Sequence, residues 1–154
     1  MECEYRSARS VLCDSFMAFE QLASLKQNRT EFGQEVEARA RDWLDSQPGW
    51  RLLAQNFRTR SGEIDLIYEH HRYGDERGGR CLRLELVFVE VRARAPDGLV
   101  SGLESVGPGK QQRLVRAART FLARYRGGAL AARFDVLDWN GRRFQRVENA
   151  FHGV

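Results

Sequence analysis

Gly62-Glu63-Ile64-Asp65-Leu66-Ile67 and Val87-Phe88-Val89-Glu90-Val91-Arg92 are the two stretches that decide how this chain folds. Both are rich in β-branched and large apolar residues, as half-buried strands are. Each also sets one carboxylate among apolar neighbours. An ionised carboxylate in a low-dielectric setting must be paired, hydrogen-bonded or bound to a cation; otherwise it gives up its charge. Side chains alternate along a strand, so Phe88, Glu90 and Arg92 share one face of the second stretch. By the same rule Glu63, Asp65 and Ile67 share one face of the first. A register that pairs the two acidic faces brings like charges to ~4 Å, a repulsion of roughly 4 kcal/mol at an effective dielectric of ~20. A cation between them removes that repulsion. Asp65, Glu90 and the backbone carbonyl of Val91 offer hard oxygen ligands of the kind that Mg²⁺ or Mn²⁺ takes, with water completing the shell.

Working outward, Phe32, Val36, Ala40 and Trp43 fall at helical spacing from about Thr30, with Asn28 and Glu31 as a capping pair, and this helix ends before Pro48-Gly49. Strands are expected at Trp50 to Phe57, Gly62 to Glu69 and Leu82 to Arg94. His70 to Arg80 reads as a hairpin loop in which His70 and His71 are solvated, and Pro96 to Gly109 as a glycine-rich loop. A second helix from Lys110 carries an apolar stripe of Leu114, Ala118, Phe121, Leu122 and Tyr125, flanked by Arg113, Arg116, Arg119, Arg124 and Arg126. A fourth strand over Arg133 to Trp139 turns at Asn140-Gly141, a type I′ signal, into a fifth at Arg143 to Val147. Three consecutive strands favour an antiparallel meander, and the helix after them allows a right-handed crossover to a parallel fourth strand. The expected class is α/β, a mixed sheet with helices on both sides. Residues 1–28 read as a flexible N-terminal extension, and 29–154 as a single domain.

With 42% hydrophobic and 30% charged residues, the composition is that of a globular protein, and no apolar run approaches the ~20 residues that span a bilayer. Glu2, Glu4 and Asp14 break any secretory pattern, so the expected setting is the cytoplasm, with no membrane partner. Cys3, Cys13 and Cys81 are too widely spaced for a zinc site or a disulfide framework. Of 25 basic residues only Lys26 and Lys110 are lysines. Arginine suits bidentate phosphate contact, which points to a nucleic-acid partner, DNA favoured; arginine-rich codon usage explains the same bias equally well.

The residues resemble the Asp…Glu-x-Lys signature of the restriction-endonuclease-like, or PD-(D/E)xK, nucleases. More specifically, residues 33–151 resemble the YraN-like family, an uncharacterised bacterial family of that superfamily. The matching stretches are Gly33-Gln34-x-x-Glu37, Asn56-Phe57-Arg58, Gly62 to Ile67, Phe88-Val89-Glu90-Val91-Arg92-x-Arg94, Lys110 to Leu114, Arg133-Phe134-Asp135-Val136 and Asn149-Ala150-Phe151. The resemblance implies a restriction-endonuclease-like core and a metal-dependent endonuclease activity. It implies that Asp65 and Glu90 bind a divalent ion, Mg²⁺ or Mn²⁺, that Glu37 on the first helix joins them, and that Glu63 stands behind them.

Where the superfamily carries its lysine this chain has Arg92. Arginine stabilises an anionic transition state, but with a pKa above about 12 it is no base at neutral pH. Lys110 is a candidate substitute, or a grip on phosphate at the helix N-terminus together with Arg113 and Arg116. Two alternatives stand beside the enzyme: a nucleic-acid-binding module that has lost the catalytic lysine, and an Asp65, Glu90 and Arg92 salt-bridge cluster that only satisfies buried charge. Structure-specific nucleases often act as homodimers, and no interface is legible in the sequence.

Overall fold

The computed structural model describes residues 30–73, 81–93 and 106–153. The chain divides into two units, Met1–Glu35 and Val36–Val154. Of the first, the described residues 30–35 form the opening turns of helix α1, which spans residues 30–45. The expected extension over residues 1–28 lies outside the described residues, as do 74–80 and most of the Pro96 to Gly109 loop.

In the second unit β1 (Trp50–Thr59), β2 (Gly62–Tyr73) and β3 (Cys81–Ala93) are followed by helix α2 (Pro108–Leu122), β4 (Ala131–Trp139) and β5 (Phe144–Phe151). They form one sheet in the order β1-β2-β3-β4-β5. β1, β2 and β3 make an antiparallel meander, β4 runs parallel to β3, and β5 returns antiparallel. The expected element order and the parallel pair are both present, in an α/β fold consistent with a restriction-endonuclease-like core.

Both faces of the central strands are covered, which explains the unbroken apolar run over residues 86–89 of β3. On one face Ile64, Ile67, Phe88, Phe134 and Val136 cluster with Leu114, Ala117 and Ala118 of α2. On the other, Leu66, Tyr68, Val87, Val89 and Leu137 cluster with Ala40 and Leu44 of α1. Beyond α1 that second face turns polar. Arg133, 7% exposed, donates to Glu85, Asp135 and His70, so buried charges there neutralise one another.

Several boundaries differ from the sequence reading. His70 and His71 belong to β2, because pairing with β3 continues to Tyr73↔Cys81 whatever the polarity of the side chains. His70 stacks on Trp50 at 4.4 Å, and burial, with Arg133 and Arg146 nearby, pushes its pKa down to about 4. α2 stops at Leu122, so Tyr125 lies beyond the helix, its amide held by the Phe121 and Leu122 carbonyls. Asn140-Gly141 is not a type I′ turn. Gly141 has φ 89°, but Asn140 stays out of the left-handed region, and its Oδ1 accepts from the amides of Arg142 and Arg143 in a four-residue loop closed by Trp139↔Phe144. A side-chain acceptor that satisfies two loop amides replaces the tighter backbone turn. β5 runs on to Phe151 past Asn149, which adopts φ 52° while its amide donates to Asp135.

The β1–β2 hairpin is tied to α2 by close backbone approach. A Cβ placed on Gly62 meets the Arg113 carbonyl oxygen at 2.6 Å, and helix backbone does not swing aside. Gly62→Ala is expected to lower stability by about 1–3 kcal/mol, a typical overpacking loss, read as a lower urea midpoint beside Ser61→Ala as control. An unchanged midpoint would show that hairpin and helix are not locked together here.

Candidate metal centre

The β2–β3 ladder ends at Leu66↔Val89, immediately before Asp65 and Glu90. The pairing Ile67↔Phe88 sets Glu90 on the α2 face by alternation, whereas Asp65 lies where the period of two expected for β2 breaks, because Ile64 packs on the α2 side and Leu66 on the α1 side. Where the next ladder bond would fall, the Val91 amide donates to Asp65 Oδ2 at 2.7 Å. A side-chain oxygen thus takes the place of a backbone carbonyl and satisfies a β3 amide that would otherwise be orphaned.

Glu90 is 5% exposed. Its Oε1 lies 3.0 Å from Lys110 Nζ and 3.6 Å from Arg92 Nε. Its Oε2 is buried without a hydrogen-bond partner, and Arg92 Nε is likewise unsatisfied. Burial first, and the negative charge of Glu90 second, raise the Asp65 pKa to about 7 against the opposing hydrogen bond from Val91. Glu37, on α1, is also raised: by burial, then by Glu63 and Glu90, with Arg58 and Lys110 opposing. Side chains from α1, β1, β2, β3 and α2 therefore act on one another at this corner.

Among the described residues no three His, Cys, Asp or Glu side chains form a metal-ligating set. Glu37 is thus within electrostatic reach of the pair without completing a three-member site. Two carboxylates suffice for a Mg²⁺-type ion, which commonly takes one or two with waters and substrate phosphate. The pair thus presents one buried carboxylate oxygen without a hydrogen-bond partner and one carboxyl whose pKa is held unusually high.

Among the described residues Arg92 and Lys110 are the two cationic neighbours of Glu90, and the lysine is the closer. α2 delivers Lys110 from its first turn, with Gly107 at the N-cap, Pro108 opening the helix and no acidic residue in that turn. Arg113 and Arg116 follow along α2, both exposed and without an ion-pair partner among the described residues. The sequence reading missed Asp138. It is 7% exposed, and the parallel register pairs it with Arg92, on the face of the sheet that carries Glu90. The signal was present, an acid inside an apolar strand, as at Asp65. Its proximity to Arg92 depends on a register between strands that a helix separates in sequence.

A protein-family model for the uncharacterised family UPF0102 matches residues 36–138. A UPF0102 protein of Halorhodospira halophila is 46% identical over 119 residues, which cover 77% of this chain and 85% of the relative. A UPF0102 protein of Klebsiella pneumoniae is 41% identical over 121 residues, covering 77% and 84%. One of a Synechococcus species is 45% identical over 106 residues, covering 68% and 71%. The matched span contains Glu37, Asp65, Glu90, Arg92 and Lys110, and on these matches the chain belongs to the UPF0102 (YraN) family.

Proposed function

We propose that this chain is a phosphodiesterase of nucleic acid, DNA favoured, that depends on a divalent cation held by Asp65 and Glu90. The observation that carries the reading is the buried, unpartnered Glu90 Oε2 beside an Asp65 that burial and Glu90 hold near pKa 7. When bound, Mg²⁺ or Mn²⁺ supplies a water of lowered pKa and neutralises phosphoryl charge. The chain's own residues do the rest. The Val91 amide fixes Asp65, and Lys110 holds Glu90 Oε1 while its ammonium remains positioned for a phosphate oxygen or an attacking water. Arg92 adds positive charge at the same edge, and Glu37 contributes negative field that strengthens attraction for a cation. Arg113 and Arg116 extend the positive surface along α2 toward the backbone of a longer substrate.

The competing reading, a non-catalytic binding module, is favoured by Arg92 standing where the superfamily has lysine. Lys110 weakens it, because a lysine is supplied to Glu90 from another element. Calorimetric titration of Mn²⁺ into metal-free protein, beside a folded Glu90→Gln variant, separates the two. Binding to the native chain that falls at least tenfold in Glu90→Gln is the expected result. Equal affinity in both proteins, or none even with a phosphodiester duplex present, would move the assignment to the binding module.

A further inference from the structure

On the α2 face of the sheet, four residues along β2 from Asp65, a cleft of about 420 Å³ opens between β1 and the C-terminal end of α2. That volume lies within the roughly 300–1,000 Å³ of small-molecule pockets. Its walls are flat and apolar: Leu53 and Phe57 from β1 face Phe121 and Tyr125. Phe57 meets Phe121 edge-on at 5.4 Å, and Phe121 stacks with Tyr125 at 6.2 Å. One carboxylate lines it, Glu69, which is 3% exposed. Tyr125 donates its hydroxyl to Glu69 Oε1 at 2.5 Å, Arg51 pairs with Oε2, and the Ala129 amide donates to the tyrosine oxygen at 3.3 Å. Gly127 is part of this construction, since a Cβ there would run into the tyrosine ring and lie 2.7 Å from Glu69 Oε1.

The rim has the opposite character. Arg51, Arg124 and Arg126 surround an opening whose only acid is Glu69, and the exposed Arg124 guanidinium has no partner among the described residues. A planar, largely apolar body carrying an anionic group matches walls and rim together. We infer that this cleft takes one unpaired nucleotide of the substrate strand, its base against Phe57 and Tyr125, its edge toward Glu69, and its phosphate on Arg124 and Arg126. The inference rests on the nucleic-acid reading above and narrows it to substrates with single-stranded character.

Position supports that occupant over an unrelated metabolite. Asp65 and Glu69 are four residues apart along β2, about 13 Å at ~3.3 Å per residue. Arg113 and Arg116 lie on α2 between Lys110, which meets Glu90, and the C-terminal end of the helix, which borders the cleft. A strand whose phosphates follow α2 therefore reaches both the candidate centre and the cleft. Aromatic walls accept any base, so the cleft selects for an unstacked nucleotide and not for sequence.

The test uses the whole chain in EDTA, so that cleavage plays no part. A single-stranded hexanucleotide and an abasic hexanucleotide of the same charge are titrated separately while the ring resonances of Phe57, Phe121 and Tyr125 are followed by NMR. The expected result is ring shifts with the intact strand only, and about tenfold weaker binding of the abasic strand, the size of a single base–aromatic stack. Equal affinities with unmoved rings would overturn the cleft assignment and leave the phosphodiesterase reading standing on α2. Absence of binding by either strand would overturn both.

Discussion

Asp65→Asn is expected to yield a protein that is more stable than the native chain at pH 8 and devoid of cation-dependent cleavage. Asparagine keeps an oxygen for the Val91 amide, which donates at 2.7 Å, and removes the charge that burial and Glu90 disfavour. The sign follows from linkage. An unfolded aspartate titrates near ~3.9, whereas Asp65 in the fold titrates at about 7, so the unfolded state loses its proton first as pH rises. Native stability accordingly falls between about pH 4 and pH 7 on account of this group. The advantage of Asp65→Asn is absent below pH 4 and complete above pH 7, on the order of 4 kcal/mol. Urea unfolding of both proteins at pH 4.5 and pH 8, in EDTA, checks this. Millimolar Mn²⁺ should then raise the midpoint of the native protein and leave the variant unchanged, since a ligand stabilises only the state that binds it. A variant less stable than the native chain at pH 8 would mean that Asp65 is a structural charge and not a site held at the expense of stability.

Lys110→Met is expected to reduce cleavage by roughly 10²–10³-fold, the usual loss when one preorganised charge is taken from a phosphoryl-transfer site. The same variant should bind Mn²⁺ as tightly as the native chain or more so, because it removes a cation 3.0 Å from Glu90 Oε1. Slower chemistry with undiminished cation affinity separates a part in the reaction from a simple counter-charge. Arg92→Lys, which restores the superfamily residue, should not rescue Lys110→Met, because Arg92 Nε is the more distant neighbour of Glu90 at 3.6 Å. Full rescue would return the role to position 92, and an unchanged rate in Lys110→Met would make the lysine a surface ion pair of little consequence.

Some of this was legible in residue order alone. An acid inside an apolar alternating run marks a carboxylate that must find a partner, and Asp65 and Glu90 were identified in that way. The period of two also put Glu90 and Arg92 on one face and Val87, Val89 and Val91 on the other. Three strands, a helix and two more strands followed from spacing and turn residues, because those signals are local. Strand ends were less legible, since β2 is held to Tyr73 by its partner and not by its own polarity.

What the sequence determined by itself, then, was which acids are buried at a price and, along β3, which side chains share a face. What only the tertiary structure decided was who meets them. Lys110 reaches Glu90 across twenty residues of chain, Asp138 comes beside Arg92 through a parallel register, and Glu69 closes a cleft with Tyr125 from beyond the end of α2. Such contacts are set by the crossover of α2 and by how closely its backbone approaches Gly62, a matter of packing between distant segments that no local pattern encodes.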